Sequence, residues 1–185
     1  MTGKNIKALV KSIKMFILDV DGVLTDGGLV MGHDGFEYIK FNVQDGAGIL
    51  MAQKMGYRFA IITGRDTKIV DERARMLGIE DVYQKQVFKI ETYLKILKKY
   101  DLQDKEICYM GDDILDIPVL ERVGLAIAPK NAVDEVKKGV HWVTSRNGGD
   151  GAVREAIDWV LTQKGDMKKV LSQIREKTLP IKKLS

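Results

Sequence analysis

Short apolar runs alternate with longer segments of helical periodicity along most of the chain. The apolar runs are rich in Ile, Val, Phe and Met, and they predict strands near residues 15–20, 58–62, 81–83, 107–110, 125–127 and 141–143. The intervening segments predict helices at 46–55, 67–77, 89–100, 114–123, 132–138 and 151–163, most of them followed by a glycine that can end a helix. This alternation indicates an α/β fold, a doubly wound (Rossmann-like) parallel sheet with helices on both faces.

One stretch breaks the alternation directly after the first predicted strand. Two β-prone runs, Leu29–Met31 and Phe36–Phe41, flank a loop rich in Gly and Asp, which predicts a β-hairpin over residues 28–41. Its apolar side chains would leave much apolar surface exposed on a single chain. The hairpin therefore either folds back onto its own sheet or, as we expect, contacts other subunits.

The chain shows no internal repeat, low-complexity segment or linker long enough to separate two domains. We expect one domain over residues 1–165 and a basic C-terminal tail over 166–185. Apolar residues at helical spacing, among them Met167, Val170 and Ile174, predict that the tail begins with a helix.

Composition excludes several classes of protein. The chain has 185 residues, 45% of them hydrophobic and 30% charged, as in a soluble globular domain. Its apolar runs all fall short of the roughly 20 residues that cross a bilayer, so we expect no contact with membranes. The single cysteine, Cys108, cannot form an internal disulfide and lies in an apolar run, so we expect a buried thiol and a reducing cytoplasm.

The net charge of +4 comes from the two ends of the chain. Residues 1–14 carry four Lys and no acidic residue, and residues 164–185 carry seven basic against two acidic residues. The body between them has 19 basic and 24 acidic residues. Without interleaved aromatic residues, basic ends of this kind do not indicate a nucleic-acid partner.

Candidate chemistry begins where the first predicted strand ends. Asp19 and Asp21 lie two residues apart, so in an extended chain they face the same side. They follow the strand at the edge where parallel sheets bind ligands, and two carboxylates placed together favour a shared cation such as Mg²⁺. The alternative is an ordinary polar turn.

Other strand ends add further polar groups. Thr63-Gly64-Arg65 follows the second apolar run, Gly111-Asp112-Asp113 follows a later one with Asp116 behind it, and Lys89 begins a predicted helix between them. A hydroxyl, a cation and carboxylates that converge at one sheet edge suit phosphoryl transfer. Taken singly, Thr63 or Asp112 could be a helix cap and Lys89 a surface lysine.

With these residues the chain resembles the haloacid dehalogenase superfamily of phosphatases. Asp19 to Val23 is similar to its first motif, Thr63 to its second, Lys89 to its third and Gly111 to Asp116 to its fourth. The closer resemblance is to the subfamily without a cap domain that removes phosphate from 3-deoxy-D-manno-octulosonate 8-phosphate. It covers residues 13–163 and includes the stretches 41–46 and 148–155, which are specific to that subfamily.

The resemblance implies a role for each motif residue. Asp19 is expected to attack phosphorus and form an aspartyl phosphate, and Asp21 to act as general acid and base. Mg²⁺ would be bound by Asp19, the carbonyl of Asp21 and Asp112, while Thr63, Gly64, Arg65 and Lys89 would bind the substrate. Asp113 or Asp116 could orient Lys89 or a water molecule. The resemblance also implies a homotetramer whose hairpins associate, and a role in supplying the sugar acid of lipopolysaccharide.

Arg65 bears most directly on the substrate. Its guanidinium could bind the carboxylate of a sugar acid; a structural salt bridge is the alternative. The resemblance implies an eight-carbon substrate, because a sister group that acts on a nine-carbon sugar-acid phosphate tends to carry an acidic residue at this position. Three residues depart from the subfamily pattern: Gln44 and Asp150 stand where Arg is common, and Lys85 stands where Gly is common. The charge changes at Gln44 and Asp150 leave open a phosphatase of nonulosonate 9-phosphates or other sugar phosphates.

The alternative from a different functional class is a phospho-acceptor signalling domain. Receiver domains also use carboxylates, Thr, Lys and Mg²⁺ on a doubly wound sheet. In them, however, the acidic pair and the acceptor Asp lie on different strands. Here the acceptor candidate, Asp19, belongs to the pair itself, and Lys89 precedes a further acidic cluster. The two histidines, His33 and His141, have no partner at ligand spacing, so we expect surface or packing roles.

Overall fold

The computed structural model describes residues 3–33 and 35–176. Its helices and strands are α1 (Gly3–Val10), β1 (Met15–Leu18), β2 (Val30–Met31), β3 (Glu37–Tyr38), α2 (Val43–Lys54), β4 (Arg58–Ile62), α3 (Lys68–Met76), β5 (Asp81–Tyr83), α4 (Lys89–Tyr100), β6 (Ile107–Met110), α5 (Ile117–Leu120), β7 (Leu125–Ala128), α6 (Asp134–Gly139), β8 (Trp142–Val143), α7 (Ala152–Lys164) and α8 (Asp166–Arg175). Short 3₁₀ turns, Asp104–Glu106 and Ile114–Asp116, precede β6 and α5.

Six parallel strands form the main sheet in the order β5-β4-β1-β6-β7-β8. β1 lies at the centre, paired with β4 on one side and β6 on the other. The chain builds outward from β1 through β4 to β5, then returns to build outward through β6, β7 and β8. This reversal leaves a crevice beyond the carboxyl end of β1, where open α/β sheets bind ligands. The predicted fold class is confirmed.

Both faces of the sheet are buried. Side chains alternate along β1, so that Phe16 and Leu18 join one apolar cluster while Met15 and Ile17 join the other. The first cluster packs against α1, α2, α3, α7 and α8, and the second against α4, α5 and α6. Cys108 lies in the first cluster and is buried, as the sequence predicts. In the part of the chain that the structure describes, no helix combines the length and apolarity needed to cross a membrane.

Two elements near the crevice differ from the prediction. The strand predicted over 15–20 ends at Leu18, because the chain then turns and the amides of Val23, Leu24 and Thr25 all donate to the carbonyl of Val20. The helix predicted over 114–123 is a 3₁₀ turn followed by one turn of α5. In both places, the acidic side chains at the crevice lie in tight turns rather than in regular strands or helices.

The described residues near both ends of the chain form helices that pack on the core. α1, which the hydrophobic pattern did not predict, ends at the buried residue Val10, and the buried Ile13 follows it. In the C-terminal segment, the predicted helix is α8, and its Val170 is buried in the first cluster. The rest of the predicted tail, from residue 177 onward, lies outside the described residues.

The predicted hairpin is present but short. Val30 pairs with Tyr38 and Met31 with Glu37, in a two-stranded antiparallel sheet separate from the main one. His33 lies exposed in its turn. Within the described residues, this hairpin is the only insertion of regular structure between β1 and α2, and α3 and β5 are the only elements between Thr63 and Lys89. The described chain therefore has no cap domain, as predicted.

Candidate active site

One cavity of about 370 Å³ lies beyond the carboxyl ends of β4, β1 and β6. All the residues that the sequence assigns to the site line it, namely Asp19, Asp21, Thr63, Gly64, Arg65, Lys89 and Asp112. They come from positions up to 93 residues apart in sequence between Asp19 and Asp112. The parallel sheet brings them together because adjacent strands end at one edge.

Asp19 and Lys89 form a buried ion pair at the base of the cavity. Lys89 Nζ lies 2.8 Å from Asp19 Oδ2, and both residues are almost inaccessible to solvent. The other carboxylate oxygen of Asp19 accepts a hydrogen bond from the amide of Val20 at 2.7 Å. Burial raises the pKa of Asp19 to about 7, although the ammonium group of Lys89 opposes the shift. Lys89 is therefore not a surface lysine.

Asp116 holds Lys89 in place from the other side. Its Oδ1 accepts hydrogen bonds from Lys89 Nζ and from the hydroxyl of Tyr109, each at 2.6 Å. Its Oδ2 accepts from the amides of Asp112 and Asp113 at 3.0 and 3.2 Å. A fully buried carboxylate with four donors is an orienting group, so Asp116 fits the role of positioning Lys89. Asp113, by contrast, is exposed and caps the following 3₁₀ turn.

Three carboxylates are close enough to share a cation. Asp19, Asp112 and Asp116 each offer an oxygen within 4.8 Å of the others. Each oxygen of Asp116 accepts two hydrogen bonds, whereas each oxygen of Asp19 has one donor, so Asp19 and Asp112 are the better ligands. Burial, together with the negative charge of the nearby Asp116, raises the pKa of Asp112 to about 7. Desolvated carboxylates that repel each other fit a divalent cation, which is the chemistry that Mg²⁺ prefers.

The backbone next to Asp21 leaves room for this cluster. Gly22 has φ +79°, and a Cβ at this position would overlap the carboxylate of Asp112. Only glycine allows the two loops to approach so closely. Among the described residues, the acidic cluster consists of Asp19, Asp112 and Asp116. The side chain of Asp21 instead pairs with Arg65, with Oδ1 3.1 Å from Arg65 Nη1.

Arg65 is already paired in this structure. It donates through Nη1 to Asp21 and through Nη2 to Glu37 of β3, so it ties the hairpin to the wall of the cavity. Both ion pairs favour the charged guanidinium, and the hydrogen bond that Arg65 donates to Glu37 is the largest cause of the raised pKa of Arg65. In this structure, Arg65 therefore forms structural salt bridges, the second of the two roles considered for it.

Thr63 and Gly64 leave the sheet at the end of β4. Thr63 is buried, its amide donates to the carbonyl of Tyr83 at 3.0 Å, and its hydroxyl accepts from the amide of Arg65 at 3.3 Å. It does not cap the next helix, because Thr67 caps α3. Gly64 is exposed at the cavity rim. The alternative of a capping residue is therefore excluded for Thr63.

Comparison with known proteins agrees with this geometry. A family model described as haloacid dehalogenase-like hydrolase matches residues 77–157. The 3-deoxy-D-manno-octulosonate 8-phosphate phosphatase KdsC of Escherichia coli strain B / BL21-DE3 is 40% identical over 169 residues, which cover 91% of this chain and 90% of that protein. The chain belongs to the KdsC family of haloacid dehalogenase-like hydrolases.

Solved structures of this family share the whole architecture. A probable YrbI family phosphatase from Pseudomonas syringae pv. phaseolica 1448a superposes with a TM-score of 0.90 at 40% identity, over 93% of this chain and 98% of that one. The 3-deoxy-D-manno-octulosonate 8-phosphate phosphatase of Moraxella catarrhalis, solved with magnesium ion, phosphate ion and KDO, gives a TM-score of 0.91 at 32% identity over 94% and 99% of the two chains.

The three departures from the family pattern lie away from the cavity. Among the described residues that line it, none is Gln44, Lys85 or Asp150. Gln44 accepts a hydrogen bond from Arg146 at 2.9 Å, so a cation is close to this position after all. Lys85 adopts φ +59°, in the left-handed region that favours glycine. Asp150 is exposed in the loop before α7.

Sequence reasoning missed three residues that support the site. Glu37 comes from the hairpin, and no local pattern links it to Arg65. Tyr109 lies in the middle of an apolar strand, where only the need of a buried hydroxyl for a partner could have pointed to Asp116. Asn131, in the turn after β7, donates a hydrogen bond to the carbonyl of Gly22 at 2.9 Å. The two histidines lie outside the cavity lining, and His141 accepts from the amide of Ala126.

Proposed function

We propose that this protein is a Mg²⁺-dependent phosphatase that converts 3-deoxy-D-manno-octulosonate 8-phosphate to the free sugar acid and phosphate. The observation that carries the proposal is the buried Asp19–Lys89 pair beside Asp112, at the end of the central strand. The similarity to relatives named for this activity supports the substrate. In the cell, the product would enter lipopolysaccharide synthesis.

Asp19 is the proposed nucleophile. Its carboxylate attacks the phosphorus atom, the bond from phosphorus to the ester oxygen breaks, and an aspartyl phosphate forms. The ammonium group of Lys89, the hydroxyl of Thr63 and the amide of Gly64 bind the phosphoryl oxygens. They stabilise the negative charge that shifts between these oxygens during the reaction. Mg²⁺, bound by the carboxylates of Asp19 and Asp112 and the carbonyl of Asp21, would neutralise charge on the phosphoryl group and reduce its repulsion from Asp19.

Asp21 is the proposed general acid and base. It gives a proton to the leaving sugar oxygen in the first half-reaction. In the second, it takes a proton from the water that attacks the aspartyl phosphate, which releases phosphate and restores Asp19. In this structure the carboxylate of Asp21 pairs with Arg65, with Arg65 Nη1 3.1 Å from Asp21 Oδ1. A substrate carboxylate that takes over Arg65 would free the side chain of Asp21 to face the leaving oxygen.

The nucleophile is tested by replacing Asp19 with Asn and measuring phosphate release from the sugar-acid phosphate with Mg²⁺. We expect a loss of at least about 1000-fold, because an amide cannot form the covalent intermediate. Asp26→Asn is the matched control, since Asp26 lies in the same loop, is exposed and pairs with Lys40 at the surface. Rates close to wild type in Asp19→Asn would exclude Asp19 as nucleophile.

The substrate class is tested at Arg65. We expect Arg65→Ala to lower kcat/KM for the eight-carbon sugar-acid phosphate by about 30-fold or more, the effect of losing a charge-assisted bidentate pair. The loss should be several-fold smaller with a sugar phosphate that lacks a carboxylate. An equal loss on both substrates would contradict carboxylate recognition by Arg65. Faster turnover of a nine-carbon sugar-acid phosphate by the wild type would favour the nonulosonate alternative.

Turnover also separates the enzyme from a signalling domain. With excess aryl phosphate and Mg²⁺, we expect many phosphates released per chain, whereas a phospho-acceptor domain would be labelled once. The family membership favours the enzyme.

Two further parts of the proposal concern the assembly and its location. A homotetramer built through the hairpin is supported by apolar side chains of Leu29, Val30, Met31, Phe36 and Tyr38 that are 58–67% exposed on the single chain. A cytoplasmic location is supported by the single cysteine, Cys108, which is buried and reduced.

A further inference from the structure

The turn between β7 and α6 contacts both of the loops that carry the acidic residues. In this turn, Asn131 Nδ2 donates to the carbonyl oxygen of Gly22 at 2.9 Å, in the loop after β1. Two residues later, the amide of Val133 donates to the carbonyl oxygen of Asp112 at 3.0 Å, in the loop after β6. The turn therefore spans the gap between the two loops.

Asn131 uses both ends of its amide group. Its Oδ1 accepts a hydrogen bond from the amide of Gly148 at 2.6 Å, in the loop after β8. That loop packs directly on the loop after β1: Gly149 donates to the carbonyl of Val23 at 3.0 Å, and a Cβ at Gly148 would overlap the carbonyl oxygen of Gly22. A side chain with one donor and one acceptor in this geometry joins three loops, and neither Ala nor Asp can make both bonds.

The position of Gly22 decides the geometry of the acidic cluster. Its amide donates to the hydroxyl of Thr25 at 3.3 Å, which holds the peptide that contains the carbonyl of Asp21. Its own carbonyl is held by Asn131. Its Cα faces the Asp112 carboxylate so closely that a side chain would not fit. A shift of Gly22 therefore changes the distance between the Asp21 carbonyl and the Asp112 carboxylate.

We propose that Asn131 is a positioning residue, which holds the loop after β1 at the distance from Asp112 that a divalent cation requires. The proposal rests on the proposed function, since it concerns the same metal site. Asn131 is not among the described residues that line the cavity, so it acts through Gly22 rather than on the substrate. Outer-shell groups of this kind typically change metal affinity by about 10- to 100-fold when they are removed.

The test replaces Asn131 with Ala in the full chain and measures two dependences on Mg²⁺ concentration. One is the rate of phosphate release, and the other is the melting temperature, which needs no substrate. We expect the Mg²⁺ concentration at half-effect to rise about 10-fold or more in both, while kcat at saturating Mg²⁺ falls less. Asn147→Ala is the control, because Asn147 is exposed next to Gly148 and its side chain makes no hydrogen bond to the described residues; it should match the wild type.

Asn131→Asp is the second variant and decides the question if the alanine variant does not fold. It keeps the shape of the side chain and the acceptor for Gly148 but loses the donor to Gly22, and we expect a similar shift in Mg²⁺ dependence. A wild-type Mg²⁺ dependence in the folded variants would overturn the proposal. So would a lower melting temperature without Mg²⁺ accompanied by an unchanged Mg²⁺ midpoint, since that is the mark of a purely structural bond.

The two proposals can fail separately. If the wild-type protein released no phosphate from the sugar-acid phosphate, the proposed function would be wrong. The Mg²⁺ titration of the melting temperature would still report whether Asn131 positions the cation site.

Discussion

At the scale of single residues, the site depends on carboxylates that are wholly or partly buried. Asp116 is fully buried and has four donors, whereas Asp19 and Asp112 lie against each other with Lys89 as the nearest cation. Burial of charge without full compensation is costly, and it raises the pKa of Asp19 and Asp112. The cluster is therefore better suited to a bound cation than to a metal-free protein.

The raised pKa values of the two carboxylates predict how pH and Mg²⁺ affect the stability of the protein. The pKa values of Asp19 and Asp112 are both raised to about 7, above the ordinary value for an aspartate, so the folded metal-free protein binds protons more tightly than the unfolded chain. Its free energy of unfolding should consequently fall as pH rises from about 4 through 7 on account of these groups. Mg²⁺ competes with the same protons. We expect Mg²⁺ to raise the melting temperature more at pH 8 than at pH 5.5.

The measurement is thermal unfolding at both pH values with EDTA or with Mg²⁺. The apparent Mg²⁺ affinity should differ by at least about 10-fold between the two, because each pH unit below the pKa of a ligand costs about a factor of ten. Asp112→Asn removes one carboxylate and should abolish most of the Mg²⁺ response. An equal response to Mg²⁺ at the two pH values would show that the raised pKa values do not describe the cation site.

At the scale of secondary-structure elements, the loops after the strands are held by backbone bonds rather than by side chains alone. The amide of Lys85, after β5, donates to the carbonyl of Arg65 at 3.0 Å, and the amide of Gln86 donates to the carbonyl of Thr63 at 2.9 Å. These two bonds place the loop before α4 against the loop after β4. They also require the backbone of Lys85 to adopt a positive φ.

We predict that Lys85→Gly stabilises the protein. A non-glycine residue in the left-handed region costs about 1–2 kcal/mol, and the larger loss of chain entropy of glycine offsets about 0.5–1 kcal/mol of this, so the net gain is about 1 kcal/mol. The salt bridge from Lys85 to Asp66 is exposed and contributes little. For a chain of this size, the melting temperature should rise by about 2–4 °C.

Lys85→Ala separates the two effects. It removes the same salt bridge but keeps the unfavourable backbone conformation, so its melting temperature should stay within about 1 °C of the wild type. If the glycine variant were no more stable than the alanine variant, backbone strain at this position would have to be discarded as an explanation.

At the scale of the whole molecule, the exposed apolar surface of the hairpin has no explanation within a single chain. It forms its own two-stranded sheet, contacts the cavity through Glu37 and presents apolar side chains to solvent. A two-stranded sheet alone is only marginally stable in water. Association of hairpins from several subunits would bury this surface.

We expect the wild-type protein to be a tetramer and Val30→Asp/Met31→Asp to dissociate it, because charged groups would be buried without partners in the association. Size-exclusion chromatography with light scattering measures the mass, and circular dichroism checks that the fold is kept. Leu171→Asp, at an exposed apolar position of α8, is the control and should remain tetrameric. A monomeric wild type, or a double variant that stays tetrameric, would contradict the hairpin interface.

The alternation of apolar runs and helical segments determined the order of strands and helices, and the fold class followed from it. The residues at strand ends, such as Asp19 and Thr63, were predicted as a group because parallel strands end at one edge whatever the details of packing. A single local signal could also be sufficient, as the apolar run around the buried Cys108 illustrates. These features depend on spacing along the chain, which the sequence contains in full.

The partners of those residues were decided only by the tertiary structure. Arg65 pairs with Glu37 across 28 positions, and Asn131 reaches Gly22 across 109. The alternation of side chains along a strand cannot show that the hydroxyl of Tyr109 donates to Asp116. A glycine pair such as Gly148-Gly149 likewise does not reveal which segment of backbone packs against it. Contacts of this kind depend on how loops from different strands pack in three dimensions, and that packing is set by the whole core together rather than by any local pattern.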